Sequence, residues 1–84
     1  MPLKTTMSLQ PPKKLRKQFT NSTHPLIVLK FESGHQIKVY QNEGKEFDAW
    51  AGETIKLLAV TDPTSSDWEL IENRKADAFE DATA

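Results

Sequence analysis

Two runs of branched and aromatic residues, Leu26-Ile27-Val28-Leu29-Lys30-Phe31 and His35-Gln36-Ile37-Lys38-Val39-Tyr40, flank Glu32-Ser33-Gly34 and commit the middle of this chain to a β-hairpin. Residues that face each other across a hairpin share a side of the sheet, so the polarity pattern selects the register. A three-residue loop with Gly34 in the left-handed position pairs Leu29 with Ile37 and Ile27 with Val39. One side is then apolar, with Ile27, Leu29, Phe31, Ile37 and Val39. The other carries Leu26, Val28, Lys30, Gln36, Lys38 and Tyr40.

This hairpin must find its partners within 84 residues, which leaves room for one domain. The chain has no cysteine, so disulfides, thiolate zinc sites and cysteine nucleophiles are excluded. The longest purely apolar run, Leu26 to Leu29, cannot cross a bilayer, and no secretory leader pattern opens the sequence. An intracellular protein without a membrane partner is expected, cytoplasmic, with nuclear import where the host cell has a nucleus.

A net charge of −1 conceals a strong polarity. Lys4, Lys13, Lys14, Arg16, Lys17 and Lys30 precede any acidic residue. Beyond Thr61, Asp62, Asp67, Glu69, Glu72, Asp77, Glu80 and Asp81 outweigh Arg74 and Lys75. Residues 1–23 lack a helical or strand period and are expected to form a disordered basic tail, and 76–84 a disordered acidic one. That leaves 24–75 as the folded domain.

Within it, Phe47, Trp50, Ala51, Thr54, Ile55 and Leu58 recur at steps of three and four, and the spacing predicts an amphipathic helix over 45–60. A rival reading makes 54–60 a strand. Pro63 and its Thr/Ser neighbours end the element. A third strand over 68–72, with Trp68 and Leu70 on the core, completes a small two-layer α+β sandwich in β-β-α-β order; a small SH3-like β-barrel is the alternative. Trp50 and Trp68 are expected in the core rather than in a ligand cage.

Glycine loops for phosphate, metalloprotease motifs and calcium loops are absent from the sequence. Glu32, Ser33 and His35 form the one conceivable nucleophilic cluster, but an exposed turn offers no oxyanion pocket. His24 and His35 are too few for a structural zinc site. No catalytic residue, metal or cofactor is therefore expected. The cationic cluster Lys13, Lys14, Arg16 and Lys17 and the hairpin face of Val28, Lys30, Lys38 and Tyr40 are the candidate partner-binding residues. Exposed strand edges are a further docking route.

Residues 26–40 resemble the opening hairpin of ubiquitin-like folds. The hairpin, helix, strand order is similar to that of small phage proteins that bind and inhibit a host enzyme such as RNA polymerase. Gly52-Glu53-Thr54-Ile55-Lys56-Leu57-Leu58 with Asp67-Trp68-Glu69-Leu70 resembles the central strands of SH3 domains, but the acidic-aromatic groove segment and the closing Gly-Trp-Val-Pro-like stretch are missing, so proline-peptide binding is not implied. The expected function is a non-enzymatic protein-binding or regulatory module, an inhibitor or accessory subunit acting on a larger protein. The alternative is nucleic-acid binding through the basic tail and the exposed hairpin face.

Overall fold

The computed structural model describes residues 13–60, 64 and 67–82. Seven strands follow one another: β1 (Lys14–Asn21), β2 (Leu26–Phe31), β3 (Gln36–Tyr40), β4 (Glu43–Trp50), β5 (Thr54–Val60), β6 (Glu69–Lys75) and β7 (Glu80–Asp81). They form two antiparallel sheets, ordered β3-β2-β5-β6 and β4-β1-β7. A three-residue 3-10 turn, Ala76–Ala78, is the sole helical element among the described residues.

The hairpin adopts the expected register, with Leu29 opposite Ile37 and Ile27 opposite Val39, and Gly34 has φ +113°. The helix over 45–60 does not form, and with it the α+β sandwich is overturned. Phe47 and Ala49 point inward on β4, and Ile55, Leu57 and Ala59 on β5, which is a period of two on each side of the Ala51-Gly52 turn. Gly52 makes that turn at φ +83°. A helix would leave the inner face of β2 covered by a single stripe, whereas β5 hydrogen-bonds along the whole of β2 and extends the same apolar surface.

The inner faces of both sheets enclose Ile27, Leu29, Phe31, Val39, Phe47, Ala49, Ile55, Leu57 and Ala59, together with Ala76 and Phe79. Phe31, Phe47 and Phe79 stack edge to face with centroids 5.2 Å apart at each step. Both ends of the folded domain therefore lie outside the expected 24–75. Lys14–Asn21 is the central strand of its sheet rather than part of a disordered tail, and 76–82 contributes two core residues and β7. What is expected of residues 1–12, of the turn around Pro63 (61–63 and 65–66) and of residues 83–84 lies outside the described residues.

The third strand of the prediction is present as β6, but its burial is not as expected. Trp68 and Leu70 are 43% and 49% exposed. A bulge between Leu57 and Leu58 sets Leu70 opposite Leu58 on the outer face and turns Glu72 and Arg74 inward. The Arg74 guanidinium lies 4.8 Å from the Phe79 ring centroid and is gripped by both Glu72 oxygens, so a charged pair rather than a tryptophan closes this end of the core.

Two buried polar side chains fix the turns. The Asn21 amide donates to the carbonyls of His24 and Val39, while its oxygen accepts the N–H groups of Thr23 and His24, so one buried side chain ties the β1–β2 connection to β3. Glu53 accepts the N–H groups of Trp50 and Ser33, joining the β4–β5 and β2–β3 turns. A Cβ at Gly52 would meet nothing within 4 Å, so Gly52→Ala isolates the cost of the positive φ. It is expected to destabilise the chain by about 1–2 kcal/mol. Thermal unfolding should then show a midpoint lower by several degrees with an unchanged circular dichroism spectrum; an unaltered midpoint would contradict this turn geometry.

Candidate protein-binding face

Strand alternation sends every second residue of β3, β2, β5 and β6 to the outer side of the four-stranded sheet. Register then assembles rows across the strands. Tyr40 lies opposite Leu26, which lies opposite Val60. Lys38, Val28, Leu58 and Leu70 form the second row, and Gln36, Lys30, Lys56 and Asn73 the third. Tyr40 is 55% exposed, whereas Val28 is buried in the floor of the face. Trp68 stands over this floor. With Val28, Leu58, Lys30 and Gln36 it lines a cavity of about 320 Å³. Apolar floor, aromatic wall and cationic rim thus meet in one place.

Among the described residues, Lys30, Lys38 and Lys56 make no ion pair. An acid stands at each end of the face, and neither pairs with these lysines. Glu43 accepts the Tyr40 N–H, and Glu32 accepts the Thr54 N–H. The face therefore presents three lysines without ion pairs beside exposed apolar surface.

The candidate residues divide between two surfaces. Val28, Lys30, Lys38 and Tyr40 come together as anticipated from the hairpin. Lys13 immediately precedes β1, and Lys14, Arg16 and Lys17 lie on that strand of the other sheet, where alternation splits them. Arg16 points outward between Glu46 and Asp48 at 3.0 and 3.1 Å, and these two carboxylates raise its pKa, Asp48 most. Lys17 turns inward and pairs with Asp81, whose carboxyl that contact holds below its usual range. Lys14 sits 5.0 Å over the ring of Trp50, which is 42% exposed on the outer side of β4 instead of buried. Lys14, Arg16 and Lys17 thus each contact a residue of β4 or β7.

Lys56, Leu58, Trp68 and Leu70 were not among the sequence-derived candidates. The alternation Ile55, Leu57, Ala59 against Lys56, Leu58 was the signal that places the β5 pair on this face. At the opposite hairpin end, Ser33 Oγ lies 3.2 Å from His35 Nδ1, and the imidazole stacks on Phe31 at 4.1 Å. Glu32 is turned to Thr54 rather than to His35, so the three do not form a relay. Among the described residues no group of three acidic or histidine side chains is placed to hold a metal, and no helix is long and apolar enough to cross a membrane. No protein-family model, curated protein or solved structure matches the chain.

Proposed function

We propose that this chain is a small non-enzymatic binding module, a regulator or accessory subunit that docks a larger intracellular protein on the outer face of its four-stranded sheet. The observation that carries this reading is the presence on one sheet face of Tyr40, Trp68 and Leu70, each more than two-fifths exposed, with three lysines that have no ion-pair partner among the described residues. Exposed aromatic surface of this kind supplies most of the energy in protein interfaces, and the cations steer and orient the partner. Absence of cysteine agrees with a reducing compartment. The nucleic-acid reading draws less support, since Arg16 and Lys17 satisfy carboxylates of their own chain.

Affinity capture from the native cell with wild-type and variant chains tests the proposal. Tyr40→Ala and Leu70→Ala are each expected to weaken retention of a stoichiometric partner by roughly 10- to 100-fold. Arg16→Ala, on the other sheet, should leave it unchanged. A chain that stays alone at micromolar concentration, or a partner retained equally by all variants, would reject this reading.

A further inference from the structure

Lys30 and Lys56 stand directly opposite each other on β2 and β5, both exposed on the outer face. Like charges in this position destabilise an antiparallel pair. Neither has an ion-pair partner among the described residues; Glu32, which lines a cavity with both lysines, accepts the Thr54 N–H and pairs with neither. On either side of the lysines the row is completed by Gln36 and Asn73. Four side chains able to donate hydrogen bonds are therefore set in line across the sheet, about 14 Å from end to end at the usual strand spacing. One step along the strands, about 7 Å away, lies the apolar row of Val28, Leu58 and Leu70.

We infer that the Lys30–Lys56 pair is a carboxylate-binding notch, and that the partner presents an extended acidic segment with an apolar side chain two residues from the acid. Alternate residues of an extended chain are separated by the same distance as the two rows, so the carboxylate reaches the lysines as the apolar group enters the cavity beside Trp68. A bound carboxylate relieves the repulsion between the lysines and gains charge-assisted hydrogen bonds.

This inference rests on the docking face proposed above, and its test separates the two. Isotope-labelled chain is titrated with a synthetic peptide in which leucine and glutamate alternate with serine, with an oligothymidylate and with inorganic phosphate. The peptide is expected to shift the resonances of Lys30, Gln36, Lys56 and Trp68, and its affinity to fall roughly tenfold or more in Lys56→Glu. The same substitution turns the repulsive pair into an attractive one, so the free protein should melt about 1–8 °C higher. A variant that is more stable but no longer binds cannot be dismissed as misfolded. Preference for the oligothymidylate, peptide shifts confined to β1 and β4, or a melting point lowered by Lys56→Glu would each overturn the notch. If Lys30→Gln and Lys56→Gln retain the cellular partner while Tyr40→Ala loses it, the docking face stands and the notch alone fails.

Discussion

Phe79→Ala is expected to remove about 3–5 kcal/mol of folding stability, the range for deleting a buried phenylalanine ring. The ring is 4% exposed and packs edge to face against Phe47 at 5.2 Å and Phe19 at 6.1 Å, with Arg74 at 4.8 Å. At roughly 0.05–0.15 kcal/mol per residue, a domain of this size has only about 4–13 kcal/mol in total. One substitution near the C-terminus therefore removes a large share of it. Truncation after Lys75 should be more damaging still, since it also takes Ala76, whose N–H bonds to the Glu53 carbonyl, and the Asp81 partner of Lys17. Denaturant unfolding followed by circular dichroism measures both. A truncated chain with an unchanged midpoint would restore the picture of a dispensable acidic tail.

The sequence hid this role because the contacts of Phe79 are far away along the chain. Short-range pattern sufficed for the hairpin, where both arms alternate and Gly34 marks the turn, and it placed Val28, Lys30, Lys38 and Tyr40 on a common face. It failed over 45–60, where Phe47, Trp50, Ala51, Thr54, Ile55 and Leu58 fit a helical stripe as well as Phe47, Ala49, Ile55, Leu57 and Ala59 fit two strands. Gly52, central to that segment and unfavourable in a helix, was the local sign of a turn. β1 was harder to see, because two of its inward positions are Lys17 and Asn21, polar residues accepted there only through Asp81 and the β1–β2 turn. A linear run of cations therefore looked like a mobile charged tail, although strand alternation assigns its members to opposite faces. Lys56 and Leu58 were lost to the face with the helical reading of β5, and Trp68 and Leu70 because the strand expected there was given the opposite, core-facing orientation.

Glu53 shows how strongly a polar core position can couple the turns, and it carries a pH dependence of definite sign. Its carboxylate is 6% exposed and accepts N–H groups from Trp50 at 3.0 Å and Ser33 at 2.9 Å. Burial opposes ionisation and is the largest single influence, but the two backbone donors, the Ser33 side chain and the charge of nearby His35 together hold the carboxyl below its ordinary value of 4.5. A depressed native pKa means that the unfolded chain takes up protons first as acid is added. The stabilisation is thus complete above the ordinary value and is lost as pH falls through the lower native one. Glu53→Gln keeps the shape but sets an amide N–H against one of the two backbone donors, so about 2–4 kcal/mol should be lost at neutral pH. Denaturant unfolding from about pH 7 to pH 3 should show the gap between wild type and variant narrowing at the acid end. Both proteins will still lose stability in acid, because Asp81 beside Lys17 and Glu72 beside Arg74 are shifted in the same direction. A gap of constant size across that range would mean that the Glu53 charge contributes nothing and that the two turns are joined by its shape alone.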